Sequence, residues 1–211
     1  VQPGGAGAAG GGWSLDAVPE RWRVVGTTSL AFVICNMDKV NISVAIIPMG
    51  HELGWSPTTA GLVQSAFFWG YALSQVPGGW LSTRFGGQRV LPVGVALWSA
   101  ATASIPLCAW SLPLLLASRG LVGLGEGISP PAAVDLIARL VPPTERARAV
   151  AVTFSGLNVG SVLGLLFSPL IIEQWGWRTV FYLFGAVGLV WVAAAPRLLA
   201  LAEGKDGVEE G

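Results

Sequence analysis

Two basic residues, Lys39 and Arg119, lie in apolar runs long enough to cross a bilayer: AFVICNMDKVNISVAIIPM and LPLLLASRGLVGLGEGISP. A charge in hydrocarbon costs about 3 kcal/mol on insertion scales, so such residues face a bundle interior or an aqueous cavity. Two cations facing one cavity make an anion site, and the chain reads as a carrier for a small anion. Glu126 follows Arg119 by seven residues, two helical turns, and so shares its helix face. Arg119 offers planar donors to phosphate or carboxylate oxygens. Burial and the nearby guanidinium pull the protonation of Glu126 in opposite directions, which suits a coupling group. The alternative for both residues is a static buried pair that only joins helices. Asp38, one residue from Lys39, either pairs inside the bundle or couples a cation. Asn36, Lys39 and Ser43 share a stripe at i, i+3, i+7; Gln64, Phe68, Tyr71 and Gln75 form another at i, i+4, i+7, i+11. The second stripe lines the cavity or packs helices together with internal hydrogen bonds.

These residues need membrane helices to hold them. Charged residues make up 11% of the chain, against about 25% in soluble domains. A soluble α-domain would have to hide six long segments with almost no polar face. Zero net charge suggests no nucleic-acid partner. His51 is the only histidine and Cys35 and Cys108 the only cysteines, which excludes His/Cys metal clusters and a Ser-His dyad in the membrane. An enzyme is not expected, and no cofactor is implied.

Six apolar segments run at roughly 24–47, 59–81, 90–110, 112–138, 148–171 and 179–201, each about the 20 residues that span a bilayer core. They form a unit over 22–201. Before it, residues 1–21 are Gly/Ala-rich and expected to be disordered; after it, 202–211 is a polar tail. The chain begins with Val1 rather than Met, so an upstream targeting segment is expected to be missing; the stretch is too poor in Arg to be a transit peptide by itself. With the N-terminus inside, Arg21, Arg23, Arg84, Arg89, Arg139, Arg146, Arg148, Arg197 and Lys205 fall on the inner side and only Arg178 outside. Both termini are therefore expected on the cytoplasmic or stromal-equivalent side. In the fifth segment, Gly156, Gly160 and Gly164 recur every fourth residue and predict close helix packing; Ser155 and Asn158 are its cavity candidates. Pro130-Pro131 predicts a kink just beyond Glu126.

The turn after the second segment reads Gly79-Trp-Leu-Ser-Thr-Arg84-Phe-Gly86-Gly-Gln-Arg89-Val-Leu. It resembles the loop signature of the major facilitator superfamily, G-x-L-a-D-r-x-G-r-r-x-x-l, though a plain positive-inside loop has the same charges. Its arginines are expected to cap helix C-terminal carbonyls and to pair with acids on a neighbouring domain. Thr83 stands where the superfamily usually has an acid. A second turn, Pro142-Pro-Thr-Glu145-Arg146-Ala-Arg148, resembles the matching P-x-x-E-R-x-R loop. Glu145 is expected to cap the next helix, with Arg146 and Arg148 in the headgroup region.

Together with GLVQSAFFWGYALSQVPGGWL, SRGLVGLGEGISPPAAVDLIARL and GWRTVFYLFG, these motifs resemble the anion:cation symporter family over about residues 22–198. This is the group of sialin, the vesicular glutamate transporters and the plant type-4 phosphate transporters, and the plastid anion transporters are the most similar subgroup. The resemblance implies an all-α membrane protein whose six transmembrane helices form one half of a major facilitator superfamily fold. It implies that Lys39 occupies the substrate-anion position of the first helix, often Arg. Lys keeps the charge and loses the bidentate fork. Gln64 matches a position where glutamate-carrying relatives have a His implicated in coupling, a role a Gln cannot titrate to fill. Arg119 and Glu126 match the anion-binding Arg and proton-linked Glu of R-x-x-G-x-G-E-G.

The implied substrate contacts are then Lys39, Arg119, Asn36, Gln64 and Tyr71, with Glu126 and Asp38 as coupling groups. Gly79, Arg84, Gly86, Arg89, Glu145 and Arg146 form conformational loops. The implied function is secondary active transport of inorganic phosphate with Na⁺ or H⁺ by alternating access. An organic anion such as ascorbate or glutamate is the rival within transport; a non-transporting half that regulates a full-length carrier is the rival outside it. The implied partners are the anion, the coupling cation, the lipid bilayer, and a missing C-terminal six-helix half or a second subunit. The implied location is the plastid envelope, with another internal membrane or the plasma membrane as alternatives.

Overall fold

The computed structural model describes residues 19–199, without the side chains of residues 20 and 197–199. Of the N-terminal segment expected to be disordered, 1–21, the residues up to 18 lie outside the described residues, while residues 20 and 21 are already helical; the tail at 202–211, Lys205 and the side chain of Arg197 also lie outside them. Six helices follow in order: α1 (Glu20–Leu53), α2 (Pro57–Phe85), α3 (Gly87–Cys108), α4 (Leu112–Leu140), α5 (Arg146–Trp175) and α6 (Trp177–Leu199). Most extend several residues past the apolar segments. Hydropathy marks the stretch that sits in hydrocarbon, whereas a helix continues until something stops it. Here the stops are turn chemistry. Gly54 takes φ 66° and donates its N–H to the Gly50 carbonyl, ending α1. Ser56 accepts from the Thr59 N–H and Pro57 opens α2. Gly86 and Gly176, at φ 84° and 81°, separate α2 from α3 and α5 from α6 by a single residue each.

By length and composition, α1, α3, α4, α5 and α6 can each cross a membrane. Helix α2 has 29 residues, about 44 Å at 1.5 Å per residue, yet falls short in hydropathy. Gln64, Ser65, Ser74, Gln75, Ser82 and Thr83 dilute it. The sequence reads this segment as a span like the others, and in the structure it packs along α4.

The principal pairs are α1 with α5, α2 with α4, α3 with both α4 and α6, and α1 with α6. Exchanging α1, α2, α3 for α4, α5, α6 maps this pattern onto itself. Two units of three helices each must run in opposite senses, so the exchange describes an inverted repeat of the kind carriers use. Small residues set the close crossings. Added Cβ atoms at Gly156, Gly160 and Gly164 would strike Ser29, Val33 and Val40 of α1, so the stripe expected to pack does pack. Gly123 and Gly127 do the same for α4 against Phe67, Tyr71 and Ser74 of α2. Helix α4 continues through Pro130 and Pro131. Because α1 clings to α5 and α2 to α4, α1 meets α2 and α4 at only a few points. That leaves a seam of few close backbone approaches along their inner faces, a crevice filled by side chains.

Each end of the bundle is tied. At one end Glu52 of α1 accepts from Trp177 Nε1 at 2.7 Å and pairs with Arg178, whose guanidinium lies over the rings of Trp177 and Trp110. At the other end Arg21 pairs with Glu145 at 3.0 Å and Arg148 lies over Trp22.

Gly160→Val is expected to lower stability by about 1–3 kcal/mol through overpacking against α1. Gly61→Ala, where an added Cβ meets nothing within 4 Å, should leave it unchanged or raise it. Thermal unfolding of the two purified variants checks this; equal midpoints would show that the α1–α5 contact does not depend on the missing side chain.

Candidate functional site

The crevice gathers charged residues from α1 and α4 around two rings of α2. Lys39 Nζ lies 3.2 Å from Glu126 Oε2. The same ammonium sits 4.9 Å from the centroid of Tyr71 and 5.3 Å from that of Phe67. Arg119 Cζ is 5.4 Å from the Phe67 centroid. The Lys39 side chain is 29% exposed and that of Glu126 fully buried, while Arg119 keeps 2% of its surface. The pair therefore has one accessible member, the cation. Arg119 lies deeper, and its Nε and Nη1 have no hydrogen-bond partner among the described residues.

Arg119 and Glu126 share a face as expected, but the close partner of Glu126 is Lys39. Seven residues of helix rise about 10 Å, too far for direct contact along one face. Helix α1 instead brings its lysine alongside the carboxylate. Asp38 and Lys39 diverge because consecutive helical residues point about 100° apart. Asp38 turns to α3, where it accepts a hydrogen bond from Thr102. It is 3% exposed, and its second oxygen has no hydrogen-bond partner among the described residues.

Other sequence candidates fall in different places. Asn36 gives its amide hydrogens to the Leu157 carbonyl at 2.6 Å and to Ser161 Oγ, both on α5. It is thereby a clasp beside Gly160 and presents only its carbonyl oxygen elsewhere. Gln64 is half-buried on α2, and Ser43, Ser155, Asn158 and Gln75 are exposed. Phe68 is 63% exposed, while its neighbour Phe67, whose ring it meets edge-on at 5.2 Å between centroids, is buried. The sequence stripe named Phe68, for lining or for packing alike, and the buried ring of the two is Phe67. A single position shifts a helical side chain by about 100°, and two adjacent phenylalanines give periodicity nothing to separate them.

The loop residues also depart from expectation. Arg84 does not cap a helix among the described contacts; it lies over the rings of Trp80 and Phe85 at 5.1 and 5.5 Å. The carbonyl at the end of α2 is reached from α4: Arg139 donates to the Thr83 carbonyl at 3.1 Å. Asp135, one turn before it, accepts from the Gly87 N–H and from Arg139 Nε, each at 2.8 Å. The acid absent at Thr83 is thus matched by one on α4, signalled in sequence only by the i, i+4 spacing of Asp135 and Arg139. Gly79 lies beside Pro131, Gly86 makes the turn, and Arg89 is exposed at the start of α3. Glu145 stands at the N-cap of α5 but makes no capping bond, because its carboxylate is taken by Arg21. Arg146 closes the end of α4, donating to the carbonyls of Val141 at 2.9 Å and Ala138 at 2.6 Å.

Residues 28–210 match the model of the Major Facilitator Superfamily. The chain is 63% identical over 174 residues to "Probable anion transporter 6, chloroplastic" of Arabidopsis thaliana, covering 82% of this chain and 34% of that protein. It is 50% identical to "Sodium-dependent phosphate transport protein 1, chloroplastic" and 47% identical to "Ascorbate transporter, chloroplastic", both of Arabidopsis thaliana; each match covers 82% of this chain and 34% and 32% of the relative. The chain spans about a third of the length of these relatives. Among solved structures, it resembles a bacterial homologue of the human lysosomal transporter Spinster, inward-facing and unoccupied. The TM-score is 0.78 at 25% identity, over 86% of this chain and 43% of that one. The inward-open xylose transporter XylE from E. coli shares the fold, with TM-score 0.74 at 19% identity over 87% of this chain and 51% of that one.

Asp135→Ala removes the acceptor of the Gly87 N–H and the partner of Arg139 together. It is expected to loosen the α2–α3 turn, so that trypsin cuts after Arg84 or Arg89 several-fold faster than in the unaltered chain. An unchanged cleavage rate would show that the turn holds without α4.

Proposed function

We propose that this chain, which belongs to the Major Facilitator Superfamily, is one six-helix half of a secondary carrier for a small anion. Inorganic phosphate is the leading substrate, and the plastid envelope the location. The observation that carries the reading is the ammonium of Lys39, whose side chain is partly exposed, held 3.2 Å from a fully buried carboxylate at the crevice between α1 and α4. An incoming anion and Glu126 want the same cation. When Glu126 takes a proton it ceases to compete, and Lys39 is free to hold the anion. When Glu126 gives the proton up, it reclaims Lys39 and the anion is released. Arg119 adds a second positive charge behind the site, and Asp38, on α1 and turned toward α3, balances it. A second six-helix unit would supply the facing wall, across which alternating access takes place. The chloroplastic names of the relatives support the location, and the phosphate-named relative supports the substrate.

The ascorbate-named relative, at nearly the same identity, favours an organic anion as the second reading. A coupling Na⁺ in place of the proton is compatible with the phosphate-named relative.

The test uses proteoliposomes, with this chain alone and joined to the second half of the 63%-identical relative. Lys39→Ala is expected to raise the phosphate concentration for half-maximal uptake at least tenfold, and Lys39→Arg to be tolerated. Glu126→Gln mimics the protonated carboxyl, so phosphate counterflow should persist while uptake driven by a proton gradient is lost. Equal loss of both in Glu126→Gln would make the pair structural. Gradient-driven uptake retained by the variant would exclude the proton. Ascorbate outcompeting phosphate would move the substrate to the second reading.

A further inference from the structure

Phe67 lies within reach of both cations in a way that anion binding by Lys39 and Arg119 does not by itself require. Lys39 Nζ and Arg119 Cζ lie 5.3 and 5.4 Å from its ring centroid. Both are within the roughly 6 Å at which the negative face of a ring attracts a cation. Phe67 and Arg119 are each 2% exposed, so bulk water does not compete for the interaction. Tyr71 stacks on Phe67, with centroids 5.7 Å apart and planes 29° from parallel, and extends the aromatic surface beneath Lys39.

The ring is placed by backbone. Gly123 lies one turn after Arg119 and three residues before Glu126 on α4, and an added Cβ there would overlap the Phe67 carbonyl oxygen. Helix α4 thus presents a cation, a gap and a carboxylate, and α2 enters at the gap. Besides the ring, Lys39 meets Glu126 from α4; Asp38 on its own helix and Arg119 are the remaining charges of the crevice.

We propose that Phe67 is a positioning residue that holds Lys39 and Arg119 charged and directed at one anion. The proposal rests on the anion-carrier reading above. A buried guanidinium and a partly buried ammonium need a source of negative potential. A further carboxylate would supply it, but would occupy their N–H donors in direct competition with the substrate, as Glu126 does. A ring attracts both cations through its quadrupole and leaves those donors available. Arg119 Nε and Nη1 are in that condition.

The experiment replaces Phe67 with 4-fluoro-, 3,5-difluoro- and 3,4,5-trifluorophenylalanine, which keep the ring's shape while draining its negative face stepwise. The 211-residue chain is read in nanodiscs in two ways. The first is acetylation of Lys39 without added anion, measured by mass spectrometry against Lys205, the only other lysine. Its rate should rise with each fluorine as the ring's hold on the ammonium weakens. A rate that is flat across the series overturns the proposal, whether or not the chain binds an anion. The second is equilibrium binding of inorganic phosphate, whose half-saturation should rise in step, by about twofold to thirtyfold in total. Phosphate affinity that stays flat while Lys39 acetylation climbs overturns the role of Phe67 in directing the cations at the substrate. If acetylation climbs and the unsubstituted chain, joined to the second half of the 63%-identical relative, binds no phosphate, the phosphate reading fails and the hold of Phe67 on its cations stands.

Discussion

Burying charge in a membrane protein is permitted only where the charges answer one another. Removing one partner of a buried pair typically costs about 3–5 kcal/mol, because the other is left uncompensated. Lys39 and Arg119 are set against Asp38 and Glu126 in one crevice, so the formal charge of the group is zero. Much of the bundle can be read as the means of holding those four residues at their distances. Glycines on α4 and α5 draw α2 and α1 close to their partners, and the same closeness keeps α1 from collapsing onto α2 and α4. A crevice with charged walls is what remains.

The two ends of the bundle are secured by different chemistry. Where α1 ends and α6 begins, a single carboxylate, Glu52, gathers an indole N–H and a guanidinium that itself lies over two indole rings. At the other end, the α2–α3 turn and the end of α4 are joined through Asp135, Arg139 and Arg146, which engage backbone groups. Bonds to backbone hold a turn whatever its side chains are. The turn therefore keeps its shape with Thr83 in the place of the usual acid. Under the carrier reading, ties at both ends suit a half that rocks as a unit against a second one.

How much of this is visible in the sequence follows from how each feature is encoded. Lys39, Arg119 and Glu126 stand out because a charge inside an apolar run is expensive wherever it points, so composition alone finds them. The helices stand out for the same reason, and their ends do not, since Gly54, Gly86 and Gly176 terminate them outside the apolar stretch. Partnership is a different matter. That Glu126 answers to Lys39 rather than Arg119 depends on how α1 crosses α4, which no spacing within either helix encodes. Phe67 and Phe68 differ by one position and take opposite fates, one in the crevice and one exposed. Asn36 lies on the stripe of Lys39, yet its amide is drawn to α5 by the close approach at Gly160. The sequence thus names the chemistry of the site and leaves its geometry to the crossings.

The choice of lysine at position 39 bears on what the crevice can discriminate. A guanidinium meets a carboxylate or phosphate through two parallel hydrogen bonds and so senses the planar or tetrahedral arrangement of its oxygens. An ammonium is a point charge with rotating donors and registers charge and size more than shape. Lys39 is also backed by Tyr71 and Phe67, whose quadrupoles attract it without orienting its hydrogens. The one shape-sensing cation in the group, Arg119, is buried behind that surface. An anion held by Lys39 alone is therefore selected for charge and for fitting the crevice. Telling a tetrahedral phosphate from a planar carboxylate requires either that the anion reach Arg119 or that directed donors face it from the opposite wall. Under the carrier reading, that wall belongs to the second half, so selectivity arises where the two halves close on the substrate, while this half supplies the attraction and the means of release.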